Sequence, residues 1–324
     1  MTQLKTTYAG VSLRNPIIIS SSSLTNSAEK NKKLELAGAG AIVLKSVFEE
    51  QIMMEAHHMA TYGSPEGDDY LSTYVRSHAL NEYISLIEQT KRLCTIPVIA
   101  SINCFSNSEW TDFARTVETA GAVALDINNL SLKTENEYHC GSFEQRHIDI
   151  VSSIKKQISI PVIVKLGSNL TNPIALINQL YANGANAVVL FNRFYQPDIN
   201  IDTMTYSAGD VFSTPADLSN GLRWTAIASA QVPQTDYAIS GGVHDGKAIV
   251  KAILAGASAV ELCSVIYQRG NQVIADMTNE ITQWMNRQGY KNISEFKSSM
   301  NALSTGASNP FERTQFMKYF SSKE

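Results

Sequence analysis

At 324 residues, with 44% hydrophobic and 17% charged side chains, the chain has the makeup of a compact folded protein, which excludes disorder as its general state. A formal net charge of −4 gives no basic field for nucleic acid, and no stretch approaches the ~20 apolar residues of a spanning helix. Cys94, Cys104, Cys140 and Cys263 show no C-x-x-C spacing, so no metal or iron–sulfur site of this chain is expected, and a cytoplasmic location fits the cysteine usage.

The elements follow one pattern along the chain. "NPIIISS" at 15–21 is a first buried strand, and "LAGAGAIVLKS" at 36–46 ends a helix and makes a second. "IPVIASIN" at 96–103 is entered through Pro, as "IPVIVKLG" at 160–167 is, and Pro sits comfortably at the start of a strand. "TAGAVALDIN" at 119–128, "ANGANAVVLFN" at 182–192 and "LAGASAVELCS" at 254–264 repeat the second segment: a helix end, a Gly suited to the left-handed C′ position, a small residue, then a short apolar strand. With "DYAISGG" at 236–242 the strands number eight.

Continuous apolar strands alternating with helical sequence predict a parallel sheet covered on both faces. Closure into a (β/α)8 TIM barrel, one domain over 1–324, is the expected fold. An open doubly wound sheet is disfavoured because no G-x-G-x-x-G follows the first strand. The surplus over the ~250 residues of a simple barrel falls at 47–80, 129–147 and 193–222, each after a strand.

Barrel active sites lie at the C-terminal strand ends. Those ends read Ser20–Ser23, Lys45-Ser46, Asn103, Asp126 with Asn128, Lys165, Asn192-Arg193, Gly241-Gly242 and Cys263-Ser264. Lys165 closes an apolar strand, and three readings stand open for it: an ion pair with a carboxylate such as Asp126, a cation for an anionic or electron-rich ligand, or an imine-forming amine. Gly241-Gly242 after the seventh strand and Cys263-Ser264 after the eighth suit a phosphate cradle. "NNLSLK" at 128–133 ends the fourth strand on amides and a hydroxyl where a plain turn would use Gly or Pro. Ser131 gains weight there from Asn128 and Lys165 on adjacent strands.

In sequence order, "NPIIISSSS", Lys45-Ser46, "VKLGSN", "FNR", "ISGGVHDGKAIVKAILAGASAVELCS" and "MNRQGYKNISEF" resemble the FMN-dependent dihydroorotate dehydrogenases over nearly the whole chain. Lack of a membrane-associating N-terminal helix makes the sequence similar to the soluble class 1 enzymes. The resemblance implies that Ser20, Ser21, Ser22, Lys45, Ser46, Asn103, Asn128, Lys165 and Asn192 surround a flavin. Gly221, Gly241, Gly242, Cys263 and Ser264 would hold its ribityl phosphate. Lys165 would stand at the N1/O2 edge of the ring, where a fixed cation stabilises the negative charge of the reduced form.

The family's pattern Asn-x-Ser-Cys-Pro-Asn, laid on Asn128, puts Ser131 on the catalytic base, with Leu132 in place of Pro and Lys133 in place of the last Asn. Substrate contacts would come from Lys45, Asn128 and Asn192, whereas the family's substrate asparagines between strands two and three are not evident in "HHMATYGSPEGDDYLSTYV". The implied reaction is oxidation of a small molecule, dihydroorotate, to orotate in pyrimidine biosynthesis. Electrons would then pass to an acceptor that the sequence does not identify, and a homodimer is expected. Three rivals are a flavin oxidoreductase for another cyclic amide or unsaturated acid, a Schiff-base aldolase using Lys165, and a non-catalytic flavoprotein.

Overall fold

A computed structural model describes residues 2–48, 68–103, 110–128, 130–132 and 134–304. Cys104, Asn129, Lys133 and much of the expected insertion at 47–80 lie outside the described residues. An antiparallel pair, β1 (Thr6–Tyr8) and β2 (Val11–Leu13), precedes the barrel. Its eight strands are β3 (Ile17–Ile19), β4 (Ala41–Val43), β6 (Val98–Asn103), β7 (Ala124–Asn128), β8 (Val162–Gly167), β9 (Ala187–Asn192), β12 (Asp236–Ser240) and β13 (Ala259–Leu262). Neighbours pair in parallel around the ring, and β4 bonding to β6 together with β13 bonding to β3 closes it. All eight strands fall where the sequence pattern puts them. The two-residue β5 (Val47–Phe48) flanks β6, and a hairpin of β10 (Pro197–Asn200) and β11 (Thr205–Ala208) fills part of the insertion after β9.

Alternation along each strand sorts the side chains into two cores. Ile17, Ile19, Ile42, Leu125, Val164, Leu190 and Ile239 face the helices, while Ile18, Val43, Ile99, Ala124, Ile163, Val189 and Ala259 fill the lumen with Tyr8 and Leu13 of the first hairpin. The lower lumen is therefore sealed. The inward positions nearer the C-terminal ends carry Ser101, Asp126, Lys165 and Glu261, so the same alternation that packs the lumen brings polar groups to the mouth. Among the described residues no helix is long and apolar enough to cross a membrane.

Candidate active site

The mouth is organised by Lys165. Its ammonium is buried and donates to Glu261 Oε2 at 2.6 Å and to Ser20 Oγ at 2.9 Å, while Ser20 Oγ also donates to Glu261 Oε2 at 2.9 Å. The partner is thus Glu261 from the eighth strand, reached because the barrel closes, rather than Asp126 on the neighbouring strand. Burial works against the charge of Lys165, but Glu261 and then Asp126 hold its pKa above the ordinary lysine value. An ammonium has three donors, and among the described residues Lys165 has two acceptors, leaving one N–H for a ligand.

Asp126 lies one inward position below Asn128 on β7 and is also buried. Burial, with the Glu261 carboxylate adding to it, raises its pKa to about 7, against the opposing pull of Lys165 and of a hydrogen bond from Ser101. That bond, from Ser101 Oγ to Asp126 Oδ2, measures 2.9 Å. Ser101 Oγ lies 2.7 Å from Ser46 Oγ, which lies 2.9 Å from Ser21 Oγ. Tyr83 fixes Ser101 by accepting from its backbone N–H and donating to its carbonyl.

Register sets Asn103, Asn128 and Lys165 side by side across β6, β7 and β8. Asn192 Nδ2 donates to Asn128 Oδ1 at 2.9 Å, joining two amides foreseen as ligand partners. A cavity of 110 Å³ opens above Lys165 and Glu261, lined also by Ser20, Ser21, Gly241 and Ser264, with Arg193, Tyr195 and Val211 as its outer wall. Gly241, at φ +91°, has open space where a Cβ would stand, so its backbone is accessible from the cavity. Gly242, at φ +74°, lies where a Cβ would come within 2.1 Å of Leu218 N, so only glycine lets this loop meet the helix Leu218–Gln231. Ser264 Oγ accepts from Ser213 N–H at 2.9 Å, and Ser213 Oγ lies 3.1 Å from His244 Nε2.

The structure gives the other foreseen residues these surroundings. Gly221 lies inside the helix Leu218–Gln231, close to Ile239 and to the carbonyl of Leu190, where it lets the helix approach the sheet. Lys45 is half-buried and lines a separate 570 Å³ cavity with Asn26, Phe48, Glu82 and Tyr83; Ser46 borders the same cavity. Ser22 caps the short turn Ser23–Thr25 by accepting from Leu24 N–H.

Ser131 is half-buried in the loop after β7, and Leu130 beside it sits over Gly167 at the end of β8. Arg146, from the helix Ser142–Lys155, donates to Ser131 Oγ at 2.7 Å and stacks on Phe143. A guanidinium beside an oxygen favours its negatively charged form. Cys140, by contrast, is exposed.

Strand reading missed Glu261, Ser101 and Arg146. A Glu inside "AVEL" is a charge in a run of buried strand formers and was the available signal for the first. Ser101, one polar residue inside "VIAS", carried a weaker signal, and nothing in the spacing pairs Arg146 with Ser131.

A closed parallel barrel with an ion pair, amides and a glycine-rich rim at the C-terminal strand ends defines a barrel enzyme with its active site in the mouth. Comparison with known proteins narrows the class. A family model described as dihydroorotate dehydrogenase matches residues 3–285, and the chain belongs to that family. Similar proteins include the catalytic subunit of dihydroorotate dehydrogenase B (NAD(+)) of Thermoplasma volcanium, 27% identical over 308 residues covering 91% of this chain and 97% of the relative. The protein of the same name from Methanocaldococcus jannaschii is 24% identical over 294 residues, 87% of this chain and 93% of the relative. Dihydroorotate dehydrogenase A (fumarate) of Limosilactobacillus reuteri is 27% identical over 264 residues, 78% of this chain and 84% of the relative.

Proposed function

We propose that the chain is one FMN-binding barrel that oxidises dihydroorotate to orotate. The observation that carries this reading is the buried Lys165 ammonium, anchored on Glu261 with one donor free at the mouth of a barrel of this family. The donor set suits a flavin mononucleotide. Lys165 is a fixed cation for the electron-accepting edge of its ring, and the accessible backbone at Gly241 with Ser264 beside it is suited to a phosphate. Bound FMN supplies the hydride acceptor.

The chain's own residues supply the rest. Lys165 holds the negative charge that reduction brings, in a site kept dry by the packed lumen. Asn128 and Asn192 offer amide donors and acceptors to a cyclic imide. Ser131 takes the proton beside the substrate carbonyl, and Arg146 steadies the charge on Oγ while the proton moves on to solvent.

The names of the relatives give two electron acceptors, NAD(+) and fumarate. A homodimer is supported by the β10–β11 hairpin. Ile199 and Tyr206 face each other across it and stay 60% and 82% exposed, and Ile201 and Met204 at its tip are 82% and 88% exposed, an apolar face that a monomer leaves in water. A second reading, another cyclic amide or unsaturated acid as substrate, is favoured by the Arg146–Ser131 pair and by Leu132 in place of the family's Pro. Anaerobic addition of dihydroorotate to the purified yellow protein separates the two readings: bleaching of the flavin supports the first, and bleaching only by another acid supports the second.

A further inference from the structure

The lumen beneath Lys165 holds one ammonium and two carboxyl groups, and two carboxylates sharing one cation in a buried site do not both ionise readily. Glu261 is the close partner of Lys165 at 2.6 Å. Asp126 has no bond to Lys165; its Oδ2 meets Ser101, and its Oδ1 has no hydrogen-bond partner among the described residues. Asp126 is therefore the carboxyl placed to carry a proton. From it a line of hydroxyls runs outward: Ser101 Oγ at 2.9 Å, Ser46 Oγ a further 2.7 Å on, and Ser21 Oγ a further 2.9 Å on. Ser101 is wholly buried, whereas Ser21 is half-buried and lines the mouth cavity.

We propose that Ser21, Ser46 and Ser101 are a proton wire to Asp126, through which the barrel interior takes up one proton when negative charge arrives over Lys165 and returns it when that charge leaves. Each hydroxyl both donates and accepts, so each link passes one proton inward while receiving another from outside. The proton comes from hydronium or protonated buffer in the solvent at the mouth, which is left as water or free buffer base, and ends as the O–H of the Asp126 carboxyl. No electron moves along the wire. Its outward end is open at two places, since Ser46 also borders the 570 Å³ cavity beside Lys45.

The charged and titratable groups coupled to Asp126 include Lys165, Glu261, Tyr8 and Tyr83. Lys165 on β8 and Glu261 on β13 flank it, Tyr8 of the first hairpin rises from below, and Cys263 follows β13 near Lys165. Burial raises Tyr8 well above the usual phenol value, with Glu261 and Asp126 adding to it, and burial likewise raises the Cys263 thiol. Burial raises Asp126 to about 7, so this carboxyl titrates near neutrality. Tyr83 serves the wire by locking the Ser101 backbone from both its N–H and its carbonyl.

This inference rests on the mouth being where the flavin's negative charge accumulates, and it does not depend on which substrate brings it. The test is infrared difference spectroscopy of the FMN-loaded protein, reduced photochemically without substrate. A carboxylic acid carbonyl band should grow on reduction and be absent in Asp126→Asn. Ser101→Ala and Ser46→Ala break the wire at two places; each should reach the same final band about 10²-fold more slowly, the lower end of what a placed proton-transfer group contributes. In cofactor-free protein the Asp126 band should fade as pH rises through neutrality. A band that survives Asp126→Asn, or growth at the wild-type rate in both serine variants, overturns the wire. Failure of dihydroorotate to bleach the flavin, with these bands intact, counts against the substrate alone.

Discussion

Replacing Asp126 by Asn keeps the shape of a buried side chain and removes its ionisation. Folding raises the Asp126 pKa from 3.8 to about 7, so the folded state holds a proton that the unfolded chain has already lost between those values. Stability from this group is therefore complete below pH ~4, declines as pH rises, and is lost above the folded value. A displacement of about 3 units at 1.36 kcal/mol each makes wild type about 4 kcal/mol less stable at pH 8 than at pH 4 through this group. The amide of the Asp126→Asn variant does not ionise and escapes that penalty. Urea unfolding at matched pH values should show Asp126→Asn gaining on wild type by up to about 4 kcal/mol between pH 4 and pH 8, with an unchanged slope against urea. Glu261→Gln, which removes the neighbouring negative charge, should also flatten the wild-type pH dependence, because Asp126 then ionises as the remaining counter-ion of Lys165. A difference between wild type and Asp126→Asn that stays constant across this range would refute the reasoning.

Lys165→Ala removes the only buried cation at the mouth among the described residues, so the flavin's two-electron potential should fall and reduction by substrate should weaken by ~10²-fold or more; an unchanged potential contradicts the assignment. Ser131→Ala should retain FMN yet slow bleaching by roughly 10²–10⁴-fold, and Arg146→Met should slow the same step without adding to the serine loss, since the two act through one hydrogen bond of 2.7 Å. Cys140→Ala, at an exposed position, should leave bleaching near wild type. Ile199→Ser with Tyr206→Ser should convert a dimer to monomer in sedimentation, and a wild-type chain that sediments as monomer removes the hairpin from that role.

The barrel was legible because its signals are local. The Gly at the end of "LAGAGAIV", "NGANAVVL" and "LAGASAVEL" reports a helix stop, and the apolar run after it reports a strand buried on both faces. Strand ends then gave Ser20, Asn128, Lys165, Asn192, Gly241 and Ser264, which the fold brings to one mouth. What stayed hidden depends on closure. Glu261 lies 96 residues from Lys165 and meets it only because β13 returns beside β3. Ser131 and Arg146 are joined through a loop whose path no periodicity encodes. Gly221, which the resemblance sets at the ribityl phosphate, lies on a helix whose approach to Ile239 requires the missing Cβ. Lys45 read as a mouth residue because it ends a strand, yet it lines a second cavity beside Phe48 and Tyr83.

If the buried Lys165–Glu261 mouth holds FMN and passes dihydroorotate's electrons to it, the flavin's own absorption reports the reaction. Anaerobic stopped-flow mixing of the purified yellow protein with dihydroorotate, followed at the flavin absorption band, tests it most directly. Stoichiometric bleaching with release of orotate, slowed in Lys165→Ala and in Ser131→Ala, is the expected result. A protein that purifies with FMN and stays yellow under saturating dihydroorotate would contradict it.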